Sequence, residues 1–167
     1  MIARAALSYL PKKQRPNGWI LNNINSHPEK FLENKPTSKW KREYLIFAIH
    51  KTVAKSPNIA LRKLRSIDPY LSSDEKSYAW GQIGLITALA HNRQSLELFS
   101  KARLNDLNPI QKAWRVRAAL REGRWPEVLS TIEAMHQLQR NKDVWQYWLG
   151  YGKCETKQPY ECRSIMR

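Results

Sequence analysis

The stretch Trp80-Gly81-Gln82-Ile83-Gly84 decides the fold, because its pattern returns twice at an interval of 34 residues. Trp114 with Ala118, and Trp148 with Gly152, repeat the tryptophan followed four positions later by a small residue. A period of this length is typical of helical hairpins that bury their apolar faces only by stacking on neighbouring hairpins. The sequence therefore predicts an all-α fold, a right-handed α-superhelix or solenoid of antiparallel helical hairpins with a tetratricopeptide-like period.

Residues four positions apart lie on one face of a helix, so each tryptophan and its small partner share a surface. The small residue allows a facing helix to approach closely, while the indole covers the seam. A further series keeps the same interval, at Leu64, Leu98, Ile132 and Met166. Chance alignment of three among seven tryptophans is the alternative, and the agreement of three position classes argues against it. The predicted structural repeat positions are Trp80, Gly84, Trp114, Ala118, Trp148 and Gly152.

Capping motifs predict where the helices begin and end. Ser72 with Glu75, and Asn108 with Gln111, have the three-residue spacing of reciprocal caps. Helix ends are predicted at His91-Asn92, at Gly123 and near Gly152. A proline-flanked basic loop at residues 11–18 is the best linker candidate. The predicted helices cover approximately 2–10, 19–34 in two pieces, 38–55, 57–67, 73–90, 93–102, 109–122, 126–136, 142–153 and 158–166.

Positive charge is unevenly distributed along the chain, whose formal net charge is +15. Residues 1–67 contain fourteen Lys or Arg against three acidic residues, whereas residues 68–167 contain fifteen against eleven. The predicted organisation is accordingly a basic, less regular helical part at 1–67 and helical hairpin repeats at 68–167. A basic surface of this strength attracts polyanions, although a solvated face that serves no partner is equally compatible with the composition.

The sequence contains no recognisable motif for catalysis, phosphate binding or metal binding. The four histidines are isolated, and no glycine-rich phosphate loop or Gly-x-Ser-x-Gly motif is present. Cys154 and Cys162 are too few for a disulfide framework or a four-ligand metal site, and we interpret both as incidental helix residues. We expect no cofactor, no metal site and no insertion into a membrane, since no apolar run is long enough to span one.

The stretch from Ala113 to Leu129, followed by Asp143-Val144-Trp145-Gln146-Tyr147-Trp148, resembles the superhelical region of soluble lytic murein transglycosylases. The segments Leu71–Lys76 and Tyr78–Gln82 and the basic loop at 11–16 are similar to the same family, in the same order. This resemblance implies a periplasmic enzyme in which a U-shaped or ring-shaped superhelix lies beside a lysozyme-like domain. It implies peptidoglycan glycan strands as the partner.

In that family a single Glu of the lysozyme-like domain acts as acid and then as base. It cleaves the bond between N-acetylmuramic acid and N-acetylglucosamine with a 1,6-anhydro product. The resemblance places this Glu before a Ser, whereas Glu155 precedes Thr156 and Glu161 precedes Cys162. No catalytic residue is carried over to this chain, so no activity is expected from the chain alone. The expected function is the non-catalytic scaffold portion of such an enzyme, as a fragment, truncated product or partial homologue without the lysozyme-like domain.

An alternative of a different class is an independent basic helical-repeat adaptor that binds nucleic acid or an acidic protein. Its basis is the charge of residues 1–67 and the poor export signal at the N-terminus, where Arg4 and Pro11 interrupt the apolar stretch. The family resemblance predicts a periplasmic location. The N-terminal sequence read alone predicts a cytoplasmic one.

Overall fold

A computed structural model describes residues 17–33, 36 and 38–156 of this protein. The predicted helices at 2–10 and 158–166, most of the predicted linker at 11–18, Met166 and Cys162 lie outside these residues. The described part is all-α, as predicted. Its α-helices are α1 Gly18–Ser26, α2 Pro28–Phe31, α3 Lys39–Lys55, α4 Pro57–Ile67, α5 Ser73–Leu89, α6 Ser95–Ser100, α7 Pro109–Arg121, α8 Trp125–Glu133, α9 Gln137–Arg140 and α10 Asp143–Glu155. Single 3₁₀ turns follow α4 and α6, at Asp68–Tyr70 and Leu104–Asp106.

The chain divides into two compact units, Met1–Tyr70 and Leu71–Arg167. In the first unit α3 is the central helix and packs against α1, α2 and α4. Its apolar stripe of Leu45, Ile49 and Val53 is buried. Trp40, on a neighbouring stripe of the same helix, is 42% exposed. The core of the first unit therefore lies on one side of α3.

In the second unit consecutive helices pack as antiparallel pairs. Helix α5 packs against α6 and α7, α7 packs against α8, and α8 packs against α10. The central core lies between α7, α8 and α10, where the apolar side chains are almost completely shielded from solvent. Its members include Val116, Ala119, Val128, Ile132 and Trp145. Every long helix of this unit thus contacts more than one neighbour.

Local capping sets the start of two of these helices, as the sequence predicts. The Ser72 amide donates to Glu75 Oε2 at 2.7 Å, and the Glu75 amide donates to Ser72 Oγ at 3.3 Å. The Asn108 and Gln111 pair makes the same reciprocal bonds, both at 2.9 Å. These side chains satisfy amide donors that have no partner within the helix, so α5 and α7 begin where local sequence dictates.

Helix ends are predicted less well. His91, with φ 54°, and Gly123, with φ 63°, adopt the left-handed conformation that ends a helix, as expected. Near Gly152 the predicted helix, 142–153, stops two residues short of the observed end at Glu155. Gly152 is a buried interior residue of this helix, and a Cβ there would lie 3.0 Å from Leu129 Cδ2. The one-turn helix α9 lies in a segment that the sequence predicts as a connection.

Within the described residues, no helix combines the length and the apolar character that crossing a lipid bilayer requires.

Candidate functional site

The candidate site is the set of contacts between neighbouring helices of the second unit, which we call the seams. At the first seam, Trp80 of α5 is only 5% exposed, and Lys101 Nζ lies 4.6 Å from its ring centroid. One turn later, a Cβ on Gly84 would lie 2.7 Å from Phe99 Cδ1. Phe99, on α6, is completely buried. The missing side chain at Gly84 is therefore what lets the Phe99 ring lie against the backbone of α5.

A second close approach on α5 involves a residue outside the predicted set, Gly81. A Cβ at this position would lie 3.0 Å from both Leu107 Cδ2 and Gln111 Nε2. Gly81 thus serves the contact with α7 and its preceding loop, while Gly84 serves α6. The three-residue spacing of the two glycines is a sequence signal for close packing on adjacent faces of one helix.

The middle pair, Trp114 and Ala118, lies on α7. Ala118 is 1% exposed and belongs to the central core, as does its neighbour Ala119. The Trp114 ring is half-buried, with its edge toward His91 at a centroid distance of 6.4 Å. The Arg117 guanidinium carbon lies 5.1 Å from the same ring centroid. Trp114 therefore combines a packing role with contacts to cationic and polar side chains.

The last pair, Trp148 and Gly152, lies on α10 and faces α8. A Cβ on Gly152 would lie 3.0 Å from Leu129 Cδ2 and 3.5 Å from Trp125 Cε3. Trp148 is half-buried, and its ring centroid is 6.1 Å from that of Tyr151 in an edge-on arrangement. Aromatic rings in such arrangements add to the stability that burial alone provides.

Leu64, Leu98 and Ile132, the described members of the third predicted series, are each at most 1% exposed. They lie in α4, α6 and α8. The predicted positions are thus distributed over successive helices, and they do not converge on one reactive centre.

Polar bonds also connect the helices of the second unit. Arg103, in the loop after α6, donates to Asp74 Oδ1 and Asp106 Oδ2, both at 2.5 Å. The Arg103 amide donates to Ser77 Oγ at 2.9 Å. Hydrogen bonds from Ser77 and Arg103 lower the pKa of Asp106 below its ordinary value. This network, the Arg103 latch, attaches the loop to the first turns of α5.

Three basic side chains of α7 donate hydrogen bonds to other helices of the second unit. Lys112 Nζ donates to the Ala134 carbonyl at 2.8 Å, and Arg115 donates to Thr131 Oγ1. Burial lowers the pKa of the Arg115 guanidinium from its ordinary value. Arg121 donates to the Ala88 carbonyl, in the last turn of α5, at 3.4 Å. Some basic side chains of this unit therefore donate hydrogen bonds to carbonyls and hydroxyls of neighbouring helices.

Among the described residues, no group of three His, Cys, Asp or Glu side chains is arranged to hold a metal ion. Cys154 is half-buried near the end of α10, and Cys162 lies outside the described residues.

No protein-family model matches the chain, and no curated protein matches it. Among solved structures, the chain is similar to an inactive mutant of the lytic transglycosylase Slt from Pseudomonas aeruginosa, with a TM-score of 0.69 and 20% sequence identity. The similarity covers 94% of this chain and 26% of that chain, so the protein spans about a quarter of the length of its structural neighbour. The similarity in backbone fold is therefore to one part of Slt.

Proposed function

We propose that this chain is a non-catalytic superhelical scaffold portion of a peptidoglycan lytic transglycosylase. The observation that carries the proposal is the structural similarity to Slt over 94% of this chain. Support also comes from the ordered motifs around Trp80, Trp114 and Trp148, which resemble the superhelical region of that family, and from their interval of 34 residues. The proposed architecture is a tetratricopeptide-like array that continues into the rest of a longer enzyme.

The seams suit a supporting role because they fix neighbouring helices closely. Gly84 and Gly152 allow large side chains of the opposite helix, Phe99 and Leu129 respectively, to lie close to the helix backbone. The Arg103 latch and the bonds of Lys112 and Arg115 add directional contacts. In the proposed role this array holds a glycan strand or positions a lysozyme-like domain, which supplies the catalytic Glu. No residue of this chain takes part in bond cleavage.

A periplasmic location is part of the proposal. The similarity in fold to part of the lytic transglycosylase Slt supports it.

Purified murein sacculi provide the test. The chain should sediment with sacculi and retain the association at salt concentrations that release an unrelated protein of similar isoelectric point. It should release no 1,6-anhydro muropeptides on its own. Detection of such products would contradict the non-catalytic assignment, and failure to sediment with sacculi at low salt would contradict glycan holding.

A second candidate function, binding of a polyanion such as nucleic acid by the first unit, is favoured by the exposure of its charge. Exposed basic side chains occur on α2, α3 and α4, namely Lys30, Lys39, Lys41, Lys55, Arg62 and Arg65. Binding through phosphate contacts should weaken steeply with added salt. A mobility-shift titration of a duplex oligonucleotide at several salt concentrations tests this, and the absence of any shift at low salt would eliminate the candidate.

A further inference from the structure

A groove of about 720 Å³ lies on the surface of the second unit, beside its central core. Three helices contribute to it: the first half of α7, the short helix α9 and the beginning of α10. Its volume is in the range of about 300–1,000 Å³ that is typical of ligand sites. Its lining includes Ile110, Trp114, Arg117, Leu138, Lys142 and Val144.

Three large aliphatic side chains meet at this groove and are open to solvent. Ile110 is 62% exposed, Leu138 is 79% exposed and Val144 is 48% exposed. They come from three different helices, so their convergence depends on the tertiary fold. A single exposed aliphatic residue is common on protein surfaces, whereas several in one concave region indicate a binding surface.

The charged side chains that line the groove with these aliphatic residues are basic. Arg117 and Lys142 line the groove, and none of the described residues that line it is acidic. The Arg117 guanidinium carbon lies 5.1 Å from the Trp114 ring centroid and 5.3 Å from that of Trp145. The two rings hold the guanidinium in place, which lowers the entropy cost of presenting it to a carboxylate.

We propose that this groove binds a short peptide segment of a partner protein in which acidic and bulky aliphatic side chains alternate. Carboxylates of the segment pair with Arg117 and Lys142, and its aliphatic side chains cover Ile110, Leu138 and Val144. Arginine pairs with carboxylates through two parallel hydrogen bonds, which also fixes the register of the segment. The inference concerns a face of the second unit and does not depend on the proposed scaffold function.

Charge argues against a second copy and the chain termini as occupants, and the lack of open aromatic faces argues against single-stranded nucleic acid. A second copy of the chain carries a net charge of +15, and the segments at 1–16 and 157–167 are themselves net basic. Like charges brought together at such a groove repel. A single-stranded nucleic acid would need open aromatic faces on which its bases stack. Here Trp145 is only 4% exposed and Trp114 already contacts Arg117 and His91.

Fluorescence polarisation with labelled hexapeptides tests the proposal on the full chain at near-physiological salt. The probe is a peptide of alternating Glu and Leu, with two matched peptides in which Lys replaces Glu or Ser replaces Leu. Only the Glu and Leu peptide should bind saturably. Equal binding of the Glu and Ser peptide would overturn the proposal, because it would show attraction by charge alone. Absence of saturable binding by the Glu and Leu peptide would overturn it as well.

Three substitutions test whether the peptide binds at this groove. Leu138→Glu should weaken binding at least about tenfold, and it should leave folding intact because this side chain is 79% exposed. Arg117→Gln should weaken binding by a similar factor. Arg93→Glu, which changes an exposed charge outside the groove, is the control and should have little effect. Unchanged affinity in Leu138→Glu, or displacement of the peptide by an equimolar oligothymidine, would overturn the assignment.

Discussion

The two compact units use tryptophan differently. In the first unit Trp19 is 71% exposed and Trp40 is 42% exposed, whereas in the second unit Trp80 and Trp145 are each at most 5% exposed. The second unit closes its seams around glycine and alanine, which allow large rings to lie against the opposite backbone. At Gly18 of the first unit, by contrast, an added Cβ would meet nothing within 4 Å. Gly84 and Gly152 thus allow large side chains of a neighbouring helix to lie against the helix backbone.

Individual helices also differ in how they begin. Ser72, before α5, has a complete reciprocal cap with Glu75. Ser56, before α4, makes no capping hydrogen bond through its side chain. The start of α5 is therefore held by local bonds that the start of α4 lacks.

Truncation of tryptophan should reveal the difference most clearly. Trp80→Ala should lower the free energy of unfolding by about 3–5 kcal/mol, because it empties a buried site. Trp19→Ala should change it by less than about 0.5 kcal/mol, as for a surface substitution. Trp114→Ala should fall between the two, since its ring is half-buried. Urea denaturation followed by far-ultraviolet circular dichroism measures all three, and equal midpoints would contradict the comparison.

Addition of one methyl group tests the glycine contacts. Gly84→Ala should destabilise the protein by about 1–3 kcal/mol, because the new Cβ overlaps Phe99 and overpacking strains a core. Gly18→Ala places the same methyl group in open space near the start of α1 and is the matched control. It should be neutral or slightly stabilising. A crystal structure of Gly84→Ala with Phe99 unmoved would show that the seam is looser than described here.

Removal of a cap should have a smaller effect. Ser72→Ala should cost about 1 kcal/mol, the usual loss for a capping hydroxyl. Ser56→Ala should leave the free energy of unfolding almost unchanged, because its hydroxyl makes no capping bond to α4. Thermal unfolding of both variants under one set of conditions provides the comparison. A larger loss for Ser56→Ala than for Ser72→Ala would reverse the contrast between these two helix starts.

The Arg103 latch should make a small, pH-dependent contribution. The pKa of Asp106 is lowered in the folded protein, so its ionised form stabilises the fold. This stability is fully present above the ordinary pKa of 3.8 and is lost as pH falls through the lower folded value. Asp106→Asn should therefore unfold at a lower urea concentration than the unchanged protein at pH 7. The difference should shrink on acidification below about pH 4, and a difference that grows there would contradict the latch.

Helix starts could be predicted from sequence because capping is local. The partners in Ser72-Glu75 and Asn108-Gln111 are three residues apart, so no distant contact is needed to form them. The same holds for the ends at His91 and Gly123, where one backbone conformation terminates the helix.

The helix end near Gly152 depends on more distant contacts. A glycine near a helix end often marks the end itself, but here Leu129 and Trp125 pack on Gly152 and α10 continues to Glu155. Gly81 was missed for the same reason, since its partners Leu107 and Gln111 are distant in sequence. Packing against another helix outweighs the intrinsic preference of a single residue.

The sequence by itself determined the helical class, the helix starts and the positions at which large and small residues recur. Only the tertiary structure decided which of those positions are buried, and it alone brought Ile110, Leu138 and Val144 together at one groove. The reason is physical: capping and periodicity act within a few residues, whereas burial depends on which side chain of another helix fills the space. A pattern in one helix therefore predicts a face, and its neighbours determine what that face contacts.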